Sequence, residues 1–374
     1  MTRRSNGDDD DERILEAVRA DPINRRRLIL SSREFVRNFV PPDYLLRGII
    51  QRRYVYSLTG KTGGGKTAIT LLLSAHVALR KLVICGRELG YGRVLYLAGE
   101  NPDDTLMRWI TLSDHLGFDP NTIKVHFIQG RIGLEENFEC IMAEVEEYLQ
   151  EVTLVIVDTS TAYFEGVNEN DNVEAVNHAL KLRDLTKLPG GPSVIVNCHP
   201  TKYAKEDQLL PRGGGAFVNE MDGNLTVINN DPFITMHWQD KIRGPDFDPL
   251  KFEIRKVTTP KLVDSQGNLI QSVMVKDLTD EVYREKQEIV HSDRNKVLVA
   301  LLGNDEASIA DIAETCGWFL RDGKPYKSKV QRVLKGAFKS KLVEKADNDS
   351  HVVLTAKGEK AAKAAKTSGT ARET

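Results

Sequence analysis

Eight residues, Gly60-Lys61-Thr62-Gly63-Gly64-Gly65-Lys66-Thr67, restrict what this chain can become more than any other stretch. They fit the spacing G-x-x-x-x-G-K-[ST] of a phosphate-binding loop. The flanks agree with that pattern. Residues 53–59 read as a β-strand running into the loop, and residues 68–78 as a buried helix leaving it. Glycines allow backbone N–H groups to close around phosphate oxygens, and the helix N-terminus adds a positive dipole. Lys66 would reach the β- and γ-phosphates of a nucleotide, and the Thr67 hydroxyl would sit on Mg²⁺. A chance glycine turn before a helix is the bland alternative.

The chain beyond the loop keeps alternating strand and helix. Val94-Leu95-Tyr96-Leu97-Ala98 is a continuous apolar run, as a parallel strand buried on both faces requires. It ends in Gly99-Glu100-Asn101-Pro102, which puts the Glu100 carboxylate where α/β sheets bind ligands. Asp103-Asp104 is expected to cap the next helix. Strands are read at 123–128, 154–158 and 193–199, and helices at 135–149 and 171–187. The clearest strand, Leu154-Val155-Ile156-Val157-Asp158, closes on an acid. From residue 224 the pattern changes to three antiparallel strands, at 224–228, 233–238 and 251–257. The fold class expected is therefore α/β, a mostly parallel sheet with an antiparallel extension.

At 374 residues there is room for two domains with extra arms. Residues 1–39 read as an acidic arm. Asp8-Asp9-Asp10-Asp11-Glu12 is a solvated charge block, and Ile14, Leu15 and Val18 have helical spacing behind it. The core spans 40–278, opening on a segment from residue 35 that Pro41 and Pro42 should keep extended. A charged helical linker covers 279–292. A compact three-helix unit with a two-stranded wing covers 293–366, and 367–374 reads as a disordered tail. Net charge is −2, too small for a general polyanion binder. From residue 291 onward, however, 16 Lys/Arg face 11 Asp/Glu, which hints at a local polyanion contact. The four cysteines (Cys85, Cys140, Cys198, Cys316) lack metal or disulfide spacing. No signal peptide and no membrane-length apolar run is present, so a reducing cytoplasm is the expected setting.

The core resembles the RecA-like P-loop ATPases, and within them the ring-forming replicative helicases, RepA-type plasmid helicases and their phage and mobile-element relatives above all. The matching pieces are Gly60 to Thr67, Tyr96 to Pro102, Val155-Ile156-Val157-Asp158-Thr159-Ser160, Val196-Asn197-Cys198-His199-Pro200-Thr201-Lys202 and Arg212-Gly213-Gly214-Gly215-Ala216. Lys241-Ile242-Arg243-Gly244-Pro245 is similar to the K-x-R finger segment of DnaB-like helicases. The resemblance covers about residues 40–257. It implies ATP and Mg²⁺ as cofactors. Asp158 would hold the metal's shell through water, and Glu100 would orient the attacking water. Asn197 or His199 would sense the γ-phosphate; here the chain departs from the family's usual Gln or His pair. Lys241 and Arg243, with Arg212 as a further candidate, would reach a neighbour's γ-phosphate and stabilise the charge developing there. Such a shared site implies a homo-oligomer, a hexameric ring or a filament. The structural alternatives are a turn-forming Asp158, a helix-capping Glu100, an ordinary strand-end His199 and a solvated Lys241/Arg243 pair.

The C-terminal unit resembles a winged helix. Lys327, Lys329, Arg332, Lys335 and Lys339 crowd one helix, the kind that lies in a major groove or along phosphates. Duplex DNA is the expected partner there, with a solubilising or protein-binding surface as the alternative. Single-stranded DNA would run through the ring channel, past the loop at 163–167 and the loop at 203–210 with Lys202 and Lys205. Three functions stay open at this point. One is a replicative-type DNA helicase working with separate initiator or primase partners. Another is a DNA-binding switch ATPase of recombination or regulation that does not unwind. The third, a nucleotide-binding module with little turnover, is disfavoured by Glu100, Asp158 and Lys241/Arg243.

Overall fold

The computed structural model describes residues 29–37, 39, 41, 43–304, 306–346 and 351–370. The acidic block, the short helix behind it, the tip of the wing at 347–350 and residues 371–374 lie outside the described residues. The chain divides into two units, residues 1–43 and residues 44–374. In the first, one helix is described, α1 (Ser32–Arg37). Ser31 Oγ accepts from the Glu34 amide at 3.3 Å, and Glu34 Oε2 accepts from the Ser31 amide at 2.8 Å. This reciprocal cap starts a helical turn upstream of the prolines. Residues 35–37 are therefore helical and not extended as expected.

The second unit opens with a short antiparallel pair, β1 (Tyr44–Leu46) and β2 (Ile50–Gln51). Then come β3 (Val55–Gly60), α2 (Lys66–Ala78), a small hairpin of β4 (Val83–Ile84) and β5 (Arg87–Glu88), and β6 (Val94–Ala98). The alternation continues through α3 (Pro102–Leu116), β7 (Val125–Gln129), α4 (Leu134–Glu144), β8 (Leu154–Asp158), α5 (Asn172–Asp184), β9 (Ser193–Cys198) and α6 (Gly214–Glu220). Four strands follow without intervening helices: β10 (Gly223–Asn230), β11 (Phe233–Ile242), β12 (Leu250–Val257) and β13 (Ser272–Leu278).

Nine of these strands form one sheet in the order β13-β12-β11-β10-β3-β9-β8-β6-β7. Neighbours from β10 to β7 run parallel. Those from β10 to β13 run antiparallel. This is the expected α/β class. Alternate residues of the apolar runs enter opposite layers. Leu154 and Ile156 join the core under α2 and α3, while Val155 and Val157 join the core under α4, α5 and α6. Each such buried aliphatic contributes about 1.5–3 kcal/mol, which suits the continuous apolar runs of β6 and β8. The last strand, β13, was not expected. Lys276 and Asp277 interrupt its apolar pattern, which suits an edge strand whose open side faces water.

The region read as a charged linker and then a first helix is one continuous helix, α7 (Asp280–Leu301). Its start is pinned to the antiparallel strands. Asp280 pairs with Lys251, Lys286 Nζ lies 2.6 Å from Glu253 Oε1, and Tyr283 stacks edge-on against Phe233. Its far half packs with α8 (Ile309–Thr315), α9 (Lys327–Lys339), the hairpin of β14 (Val343–Lys345) and β15 (Val352–Leu354), and α10 (Ala356–Thr370). Leu298, Leu301, Ile312, Val330, Leu334 and Ala362 form a separate small core there. Helix α10 runs to Thr370, so four residues read as disordered tail are helical.

Candidate functional site

The phosphate-loop segment joins β3 to α2, at the C-terminal end of the central parallel strand. Its glycines are demanded by geometry. Gly65 has φ 100° at the helix N-cap, and a Cβ there would sit 2.3 Å from Ile234 Cδ1. A Cβ on Gly64 would sit 2.8 Å from the Lys61 carbonyl, which accepts the Gly64 amide at 2.9 Å. No side chain therefore crowds the curl of backbone N–H groups ahead of the helix dipole. Gly60 ends β3, and Gly63 turns with φ 71°.

Lys66 opens α2 and is buried. Its Nζ donates to the Gly60 carbonyl at 2.7 Å and the Lys61 carbonyl at 3.3 Å, folding the side chain back along the loop. Burial lowers its pKa, opposed chiefly by the Asp158 carboxylate. Thr67 follows, half-buried on the first turn. Lys61 and Thr62 lie on the solvent side; Lys61 Nζ is 3.8 Å from Glu206 Oε1.

The acids arrive from neighbouring strands. Asp158, the last residue of β8, is 4% exposed. Its carbonyl accepts the amides of Gly99 (2.8 Å) and Glu100 (3.3 Å), which fastens the end of β6 to the end of β8. The Glu100 side chain is exposed, and its Oε2 lies 3.5 Å from His199 Nε2. The other ring nitrogen of His199 is 3.4 Å from Thr62 Oγ1, so this imidazole sits between the Glu100 carboxylate and the loop. Burial, then the nearby Lys66 ammonium, lowers the His199 pKa, which keeps the ring neutral at pH 7. Asn197 is fully buried instead, and its Nδ2 donates to Thr70 Oγ1 at 3.2 Å. The helix after Glu100 is capped by Asn101, whose side chain accepts the Asp104 amide at 3.1 Å, with Pro102 behind it. Asp103 and Asp104, expected as the cap, belong to its first turn, because the cap falls on the residue before the proline.

The expected finger residues are elsewhere. Ile242 pairs with Gly223, and Gly223 pairs with Tyr56, so Lys241 and Arg243 lie level with the entry end of β3. The phosphate loop leaves the other end, about 13 Å along the strand at its usual rise. Lys241 Nζ donates to the Val218 carbonyl at 3.3 Å and to that of Asn219. Arg243 lies 2.9 Å from the buried Asp222 carboxylate, which also meets Arg183 at 3.0 Å. Arg212 sits after β9 and pairs with Glu169 at 3.0 Å.

Of the expected DNA contacts, Lys202 and Lys205 are exposed beyond β9, with Lys202 over the exposed Tyr203 ring. The loop at 163–167 is anchored where an open loop was expected. Tyr163 is buried, and its hydroxyl donates to the Gly130 carbonyl at 3.0 Å, leaving Val167 in solvent. On α9, Lys327 and Arg332 are exposed. Lys329 is committed inward, 3.0 Å from Asp293 and over the Trp318 ring. Lys335 lies 3.1 Å from Asp231, and Lys339 donates to the Asn229 carbonyl at 2.7 Å, both at the turn end of the β10–β11 hairpin. That same turn reaches the loop: Asn229 Nδ2 donates to the Gly63 carbonyl at 3.3 Å. Sequence reasoning missed this turn, and it missed Tyr96 and Thr70, which bond to each other and to Asp158 and Asn197. Tyr96 lies in an apolar run and carries no signal of a polar role.

The residues fit a magnesium nucleotide. A side-chain-free cradle, a buried lysine on the loop and an acid at the end of the adjoining layer of strands are what triphosphate and metal require. Among the described residues no group of three or more His, Cys, Asp or Glu could hold a metal by itself, so the phosphates would have to complete its shell. No helix among the described residues is long and apolar enough to cross a membrane. A protein-family model described as an AAA domain matches residues 19–205, half of the chain. No curated protein matches.

Proposed function

The chain belongs to the AAA domain family of P-loop ATPases, and from that premise we propose that it is an ATP-hydrolysing, oligomeric DNA motor. The reading is of a RepA- or DnaB-like helicase that translocates on single-stranded DNA during replication of a plasmid, phage or mobile element. The observation that carries it is the meeting of Glu100, His199 and Thr62 over the loop that holds Lys66. That meeting joins a hydrolytic acid to a residue able to report the phosphate state.

In this reading the loop amides and Lys66 bind the β- and γ-phosphates. Thr67 and Asp158 hold Mg²⁺, which when bound neutralises phosphate charge. Glu100 orients water, and the neutral His199 bonds to the terminal phosphate and passes its loss to the segment after β9, which carries Lys202, Lys205 and Arg212. Lys241 and Arg243 lie too far from their own loop to serve it; in this reading they act on a second copy. Exposed Lys327 and Arg332 on α9 give the winged-helix-like unit its duplex contact, mostly electrostatic and hence salt-dependent.

The test is strand displacement on a forked duplex with ATP and Mg²⁺, alongside Lys66→Ala. Displacement by the wild type and none by the variant is the expected result. ATP turnover and DNA binding without displacement would move the reading to a switch ATPase of recombination or regulation.

A further inference from the structure

Asp158 is held by one side chain among the described residues. The Tyr96 hydroxyl meets its Oδ2 at 2.6 Å. Tyr96 Oη is also 3.1 Å from Thr70 Oγ1, and Thr70 Oγ1 receives Asn197 Nδ2 at 3.2 Å. Tyr96, Thr70 and Asn197 are fully buried, and Asp158 nearly so. The direction of these bonds follows from their end. An ionised carboxylate only accepts, so the phenol proton points at Asp158. The phenol oxygen can then accept the Thr70 proton, and the Thr70 oxygen accepts the Asn197 amide.

The chain of bonds joins residues that lie far apart in the sequence. Asn197 is on β9, Tyr96 on β6 and Asp158 on β8, while Thr70 is on α2 one turn after Thr67. Thr70 Oγ1 also lies 3.2 Å from the Lys66 and Thr67 carbonyls, which compete with Tyr96 for its one proton. One buried hydroxyl pair thus links Asp158 to the first turn of α2, which carries Thr67.

We propose that Tyr96, with Thr70, is a positioning residue that fixes the Asp158 carboxylate relative to Thr67 and so sets the affinity of the site for a divalent cation. Binding Oδ2 leaves the second oxygen for the metal's shell. The proposal rests on the assignment of Thr67 and Asp158 to that shell. It also gives Asn197 a place at the inner end of the relay, where it orients Thr70 without touching phosphate.

Tyr96→Phe removes only the hydroxyl. The measurement is binding of a fluorescent ADP analogue, titrated with Mg²⁺ and repeated in EDTA, with thermal unfolding as a parallel readout. Affinity in EDTA should stay within about twofold of wild type. The Mg²⁺ concentration that half-saturates the metal-dependent binding should rise about tenfold, the usual scale for losing a hydrogen bond to a charged group. Thr70→Val, which breaks the same chain one link back, should shift it in the same direction by less. An unchanged Mg²⁺ midpoint in both variants, with only a lowered unfolding temperature, would overturn the proposal and leave Tyr96 a packing residue. If wild-type binding itself ignored Mg²⁺, the metal assignment would fail and the proposal with it.

Discussion

His178 shows how a single residue can be placed by packing alone. It was read as one position of a helix, with no role of its own. In the fold it is buried between Phe217, stacked at 5.9 Å, and Phe164, edge-on at 5.3 Å. Its Nε2 lies 2.9 Å from Ser160 Oγ, and its Nδ1 is buried without a partner. Protonation would place a charge, and an N–H lacking an acceptor, in the core. Burial accordingly lowers the pKa to about 4 from an ordinary 6.5. As pH falls, the unfolded chain takes this proton first. The stabilisation is complete above about pH 6.5 and is lost as pH drops towards 4, a loss of about 3 kcal/mol by linkage. His178→Gln should flatten the fall in unfolding free energy across that window. An equally steep fall in the variant would assign the acid sensitivity to carboxylates instead. Glu100 was legible because it follows an apolar strand. Glu100→Gln should retain ATP binding and lose about a hundredfold or more in turnover, consistent with loss of a general base; full turnover would remove it from the mechanism.

Elements were legible wherever both faces of a strand are buried. β6 and β8 read directly, since a continuous apolar run has few other uses, and β3 and β9 read from apolar residues beside the loop and the polar strand end. β13 was illegible because an edge strand mixes charge with apolar residues. α7 was divided in two because its first half buries few apolar residues and its last half many; the backbone continues through the change without a break. Helix α3 carries the element-scale prediction. Asn101 satisfies the Asp104 amide and lies next to Glu100. Asn101→Ala should cost about 1 kcal/mol of stability, the typical worth of such a cap, read from a denaturant midpoint. A change of only a few tenths would show that Pro102 alone starts the helix.

At the scale of the whole molecule, the separation of Arg243 from the loop of its own chain decides what can be tested. If the proposed site is shared between copies, turnover that needs Arg243 draws on another copy. Arg243→Ala should be inactive by itself yet recover turnover when mixed with Lys66→Ala, because mixed assemblies then contain some intact pairs. Arg243→Lys controls for the lost pairing with buried Asp222. No recovery at any ratio would count against a shared site. The sequence alone determined the phosphate loop, the alternation of strand and helix, and the acids at strand ends, because local spacing and apolar period encode them. It did not determine what Tyr96, Thr70, Asn197 and His178 touch, nor that α9 spends Lys329, Lys335 and Lys339 on contacts within the chain. Those are meetings of residues far apart in the chain. Only the order of strands in the sheet and the long α7, pinned at its start, bring them within hydrogen-bond reach.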